Sequence, residues 1–175
     1  PYPVQTYELN SNIKVDCRDI KEVLPEEIPD FDVCLAGFPC QSFSVAGYRQ
    51  GFKDEKGRGT LFFEVARIIE AKNPSIVFLE NVKNLVTHDN GNTFSVILDT
   101  LEQLGYHVKY KVLNAMEHGN VPQNRERIYI VGFLDEKQYN KFEFPKEIPL
   151  TKGLSDIIDF HTKLDEKYYY TPGKY

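Results

Sequence analysis

A cysteine, a carboxylate and two arginines stand at positions where side chains could do chemistry. Cys40 comes directly after Pro39, at the end of the apolar run Phe31 to Phe38. Glu80 ends the apolar run "SIVFLE". Arg125 and Arg127 alternate with Asn124 and Glu126 where "VPQNRERIYIVGF" enters a strand, so both are expected on one side of it. A thiol attacks as its thiolate, which nearby positive charge favours. Arg49, Lys53, Lys56 and Arg58 follow Cys40, diluted by Asp54 and Glu55. A carboxyl partly buried behind an apolar strand is held protonated more easily and suits proton donation. Paired arginines are forks for carboxylate, phosphate or a base edge. Singly, each has a plainer reading: a packed cysteine, a capping carboxylate and a solvated strand edge. Asn81 reads as a residue that fixes neighbouring backbone.

The elements that position these residues follow from hydrophobic spacing. "PVQTYELN" reads as the tail of a helix, and "IKVDCRDI" as a short strand ending near Asp19. "FDVCLAG" reads as a fully buried strand because it is continuously apolar. Leu61, Phe62, Val65, Ile68 and Ile69 make a helical stripe between Thr60 and Asn73, closed by Pro74. "SIVFLEN" is a second buried strand, and Thr93 to Leu104 an amphipathic helix stopped at Gly105. "YHVKYKVLN" and "RIYIVGF" read as further strands. Alternation of strand and helix predicts an α/β sheet with crossovers, in which ligands lie beyond the carboxyl ends of the strands. Cys40 and Glu80 would then share one rim. After Pro145 the chain turns into a proline-bearing connector, with at most two helical turns in "LSDIIDF".

Composition narrows the classes. The net charge is −5, so positive charge does not coat the whole surface, although a local basic face is compatible with it. No apolar stretch approaches the roughly 20 residues of a membrane span, and none reads as a secretory signal. Cys17, Cys34 and Cys40 form no CxxC pair, which argues against a zinc or disulfide scaffold and for a reducing cytoplasm. His88, His107, His118 and His161 form no ligand spacing, so no metal site is predicted, and His107 is expected to be exposed. No HExxH, GxSxG or Walker loop is present.

Taken in order, "GFPCQSFS", "GRGTLFFEVARII", "FLENVKNL", "HDNGNTF" and "GNVPQNRERIYIVGF" resemble the DNA (cytosine-5)-methyltransferases, most closely the bacterial restriction-modification type. The resemblance runs from about Asp19 to Pro145. It implies a Rossmann-like, S-adenosylmethionine-dependent α/β sheet with helices on both faces. It also implies that the sheet is incomplete at the N-terminus and that the target-recognition domain is lacking. Residues 1–145 would be a partial catalytic domain, and 146–175 a connector.

The resemblance further implies roles. Cys40 would be the nucleophile, adding to carbon 6 of a cytosine flipped out of the duplex. Glu80 would donate a proton or hydrogen bond to ring nitrogen 3, Arg127 would orient Glu80 and reach the base carbonyl, and Arg125 would brace the site. An adjacent arginine favours the ionised carboxylate, so burial and contact with the base must offset it. Asp19 and Ile20 would receive the adenine of S-adenosylmethionine, Leu61 would line that pocket, and Pro39 and Asn81 would shape it. Gln41, Ser44, Arg58 and Lys83 would contact double-stranded DNA, with the loop from about Ser42 to Gly59 closing over it.

The expected setting is the bacterial cytoplasm, away from membranes. A complementing chain, or the remainder of the same chain, would complete the enzyme. Methylation of RNA, a scaffolding relative without catalysis, and a cysteine hydrolase with a Cys/His pair stay open on the residues alone. The hydrolase lacks a placed histidine.

Overall fold

The computed structural model describes residues 2–39, 61–165 and 168–169. Helix α1, Tyr2–Ser11, buries none of its side chains and ends where Asn12 turns left-handed at φ 56°. The segment expected as a strand before Asp19 is neither strand nor helix. Asp16 accepts a hydrogen bond from the Arg18 amide at 3.1 Å, and Asp19 from the Lys21 amide at 3.0 Å. These local side-chain turns take backbone donors that a strand ladder would need. A 3-10 turn, Ile20–Glu22, follows, capped by Asp19.

Strand β1 is Val33–Gly37, helix α2 Leu61–Lys72 and strand β2 Ile76–Val82. Helix α3 is Asn92–Gln103 and strand β3 His107–Asn114. A short helix α4, Ala115–His118, precedes strand β4, Glu126–Phe133, and helix α5 is Glu136–Lys141. In α2 the buried Phe62, Val65, Ala66 and Ile69 recur on one helical face. The helix stops at left-handed Asn73, whose amide bonds the Ile69 carbonyl at 2.7 Å, just before Pro74. Helix α3 ends at Gly105, whose φ of 90° suits glycine.

The sheet has four strands in the order β1-β2-β4-β3. Strands β1 and β2 are parallel, with Gly37 opposite Glu80, and β4 runs antiparallel to β2, with Arg127 opposite Val82. The sheet is therefore mixed rather than built wholly by crossovers. The connection from β3 to β4 holds only one short helix, and a parallel crossover needs about a dozen residues or more.

One face bears Val77, Leu79, Ile128 and Ile130, packed with Phe62 and Ile69 of α2 and Ile97 and Leu101 of α3 in a single core. On the other face, Phe142 just beyond α5 meets Phe133 with ring centroids 5.2 Å apart. Tyr139 of α5 lies against His107, which is exposed as expected, and beneath the Lys109 ammonium. Helices thus serve both faces.

Strand β1 is not fully buried. Among the described residues it pairs only with β2, and its outer face exposes Val33 and Leu35, the latter by 73%. Cys34 and Ala36 on its inner face are half-buried, and burial pushes the Cys34 thiol up. Continuous apolar character records what a strand can bury, whereas the neighbours present decide what it does bury.

The chain divides into two compact units, residues 1–112 with 127–143, and residues 113–126 with 144–175. In the second unit, Asn120 accepts from the Thr151 amide at 2.8 Å, and the Ile148 amide donates to the Glu117 carbonyl at 2.7 Å. Its 3-10 turn, Leu154–Asp156, is the single helical turn within "LSDIIDF".

Candidate active site

The site grows from the carboxyl end of β2. Side chains alternate along this strand, so Val77, Leu79 and Asn81 point into the core while Glu80 points to the opposite face. Arg127 stands at the start of antiparallel β4, on that same face. Its Nε donates to Glu80 Oε1 at 3.0 Å, and the side chains are 20% and 37% exposed respectively. The pair is half-buried, at the boundary between sheet and solvent.

Strand β1 supplies the second wall. Gly37 lies opposite Glu80, and a methyl group in place of its missing side chain would stand 3.6 Å from Glu80 Oε2. The carboxylate thus leans toward the end of β1, at ordinary contact distance from this position.

The chain's exit from β1 is fixed. The Phe38 ring is buried against Phe62 of α2, with centroids 5.2 Å apart. Its carbonyl accepts from Asn81 Nδ2 at 2.7 Å, and Asn81 Oδ1 accepts from the Val82 amide at 2.8 Å. Asn81 thus satisfies buried backbone on both strands, and a buried group left unpaired would cost about 1–3 kcal/mol. Pro39, exposed, is the last described residue before Cys40. Glu80, Arg127 and the exit that leads into Cys40 therefore meet at one strand rim.

The family model for C-5 cytosine-specific DNA methylase matches residues 1–175. The chain belongs to this family. Among curated methylases it is 59% identical over 169 residues to the type II methyltransferase M.Bsp6I of Bacillus sp. (strain RFL6), covering 97% of this chain and 53% of that protein. It is 46% identical over 157 residues to M.HhaI of Haemophilus parahaemolyticus, covering 90% of this chain and 47% of that protein. The chain thus spans about half the length of the curated relatives it matches. A DNMT2 variant of Spodoptera frugiperda shares the fold, with a TM-score of 0.67 at 21% identity over 93% of this chain and 50% of that one. The S. pombe Dnmt2 methyltransferase has a TM-score of 0.59 at 18% identity, over 82% of this chain and 41% of its own.

C-5 DNA methylases of this fold use S-adenosylmethionine as the methyl donor. The residues expected at its adenine suit a purine. Asp19 is an exposed carboxylate that can accept from an exocyclic amine, beside half-buried Ile20, which offers an aliphatic face. Leu61, half-buried, begins α2.

The other expected residues fall as follows. Lys83 is exposed immediately after β2. Arg125 is exposed just before β4, in the second unit, where its amide donates to Asn114 Oδ1 at 3.1 Å and its carbonyl accepts from the Ala115 amide at 3.0 Å. Cys40, Gln41, Ser44 and Arg58, and the loop from Ser42 to Gly59, lie outside the described residues. No helix among the described residues is long and apolar enough to cross a membrane.

Proposed function

We propose that this chain carries the catalytic core of a DNA (cytosine-5)-methyltransferase of the bacterial restriction-modification type. The Glu80–Arg127 pair carries this reading, because it stands at the strand end beside the exit that leads into Cys40. S-adenosylmethionine, when bound by Asp19, Ile20 and Leu61, supplies a methyl group activated on a sulfonium.

Cytosine carbon 5 is a weak nucleophile. The Cys40 thiolate adds to carbon 6 of a base flipped out of the duplex, while Glu80 gives its proton to ring nitrogen 3. Carbon 5 of the resulting enamine can then take up the methyl group. Loss of the carbon 5 proton to a base, expulsion of the thiolate and return of the ring nitrogen 3 proton to Glu80 restore the aromatic ring. Arg127 holds Glu80 by Oε1 and leaves Oε2, beside Gly37, to face the base. Pro39 and Asn81 set the direction in which Cys40 is presented. Gln41, Ser44, Arg58 and Lys83 contact the DNA. The site belongs to residues 1–145, with 146–175 as a connector. Reading of the DNA sequence is assigned to residues outside the matched half, in the same protein or a complementing chain. The setting is the bacterial cytoplasm.

The test is methyl transfer from labelled S-adenosylmethionine by the complete protein carrying Cys40→Ala. Transfer to duplex DNA should vanish while DNA binding persists. Transfer surviving the substitution would remove Cys40 as nucleophile. A preference for RNA of the same sequence over duplex DNA would replace the substrate assignment.

A further inference from the structure

Arg67 ties the segment around Asp19 to helix α2. Its Nη2 donates to the carbonyls of both Ile20 and Val23, each at 3.0 Å, and its Nε donates to Glu64 Oε2 at 2.9 Å. The two carbonyls belong to the two ends of the 3-10 turn that Asp19 caps, since the Val23 amide itself bonds the Ile20 carbonyl. One nitrogen therefore bridges the turn and fastens it to the helix.

We propose that Arg67 is a positioning residue for the adenine end of the cofactor pocket, acting through the Ile20 and Val23 carbonyls. The inference rests on the cofactor reading above. Residues 12–19 make no strand ladder, so nothing in the sheet sets the direction of Asp19. Its placement comes from its own cap, from Ile20 packing on the core and from the Arg67 bridge. Leu61, expected to line the same pocket, begins the helix that bears Arg67. The expected residues thus share α2 as their support.

Glu64 completes the device. It is only 8% exposed on the buried side of α2, and a buried carboxylate is costly without a partner. Arg67 is that partner, and the pairing fixes the plane of the guanidinium. A lysine lacks the second nitrogen that holds Glu64 while Nη2 serves the two carbonyls, so it loses the fixed orientation of the donor.

The experiment measures binding of S-adenosylhomocysteine, and of its analogue lacking the 6-amino group, to the complete protein by calorimetry. Wild type, Arg67→Lys and Glu64→Gln are compared below their melting temperatures. Arg67→Lys should weaken S-adenosylhomocysteine about ten-fold and shrink its preference over the analogue, the size of one charge-assisted hydrogen bond. Glu64→Gln should move both quantities the same way by less. KM for S-adenosylmethionine should rise in step, with kcat and KM for DNA unchanged. Affinity within two-fold of wild type in either variant that folds would overturn the proposal, as would a lower melting temperature with the adenine preference intact. Absence of binding by the wild type would instead overturn the cofactor reading, and this inference with it.

Discussion

Arg127 reaches Glu80 diagonally across the β2–β4 pair, with Nε donating to Oε1 at 3.0 Å, although the residue directly opposite Glu80 is Tyr129. A diagonal contact of this kind lies within reach of long side chains. Removing the acidic proton should separate chemistry from folding. Glu80→Gln should lower kcat by about 10²–10⁴, the usual range for a general acid. Because the pair is half-exposed, stability should change by no more than about 1 kcal/mol. Single-turnover kinetics on duplex DNA and urea titration check the two halves, and unaltered kcat would remove Glu80 from the reaction.

Asn81 couples the ends of β1 and β2. Asn81→Ala should destabilise the fold by about 1–3 kcal/mol, since it removes a buried side-chain donor to the Phe38 carbonyl and the acceptor of the Val82 amide. Asn81→Asp keeps the acceptor for the Val82 amide but sets a carboxylate against the Phe38 carbonyl. It should therefore rescue neither stability nor turnover. A variant with aspartate as stable as wild type would show that the donor is dispensable.

Gly132 on β4 lies under the Tyr106 ring. An added methyl group would stand 3.2 Å from Tyr106 Cβ, and the ring is held by its hydroxyl, which donates to the Pro74 carbonyl at 2.6 Å. Gly132→Ala should therefore cost about 1–3 kcal/mol by overpacking. Equal midpoints in urea for the two proteins would mean that the ring yields freely.

Burial, with a smaller contribution from Cys34, pushes the Tyr106 hydroxyl up to about 12. An unfolded tyrosine titrates near 10. The folded state then holds this proton over a range where the unfolded state has lost it. Its contribution to stability is complete below about pH 10 and is lost as pH rises toward 12. Tyr106→Phe should flatten that alkaline loss while costing about 1 kcal/mol at neutral pH for the missing hydrogen bond. Urea titrations between the two pH values provide the comparison.

Cys17 is exposed, whereas the Cys34 thiol lies on the inner face of β1 and is pushed up by burial. At pH 8, iodoacetamide should modify Cys17 in the native protein and reach Cys34 only on unfolding. Peptide mapping at early times decides the order.

Much of this was readable from residue spacing because burial and periodicity agree in the middle of the chain. The stripe Phe62, Val65, Ile69 and the stop at Asn73 define α2 locally. "SIVFLEN" likewise carried Glu80 to a strand end. What escaped depended on partners distant in sequence or on competition close by. The direction of β4 is set by its pairing with β2, about fifty residues earlier in the chain. The Asp16 and Asp19 side chains captured the amides of an expected strand. Arg67 meets a carbonyl 47 residues away, and no periodic pattern announces such a bond.

The antiparallel pairing of β2 with β4 makes the register decide which side chain meets Glu80. Side chains alternate every residue, so a slip of one position would turn Glu126 or Ile128 toward Glu80 and send Arg127 into the core. The first would oppose like charges, and the second would leave the carboxylate without its arginine. Buried Ile128 and Ile130 hold the strand in phase. These two apolar side chains thus select which charge arrives at the rim, and a strand nearly identical in outline but one step out of phase would leave Glu80 without its arginine.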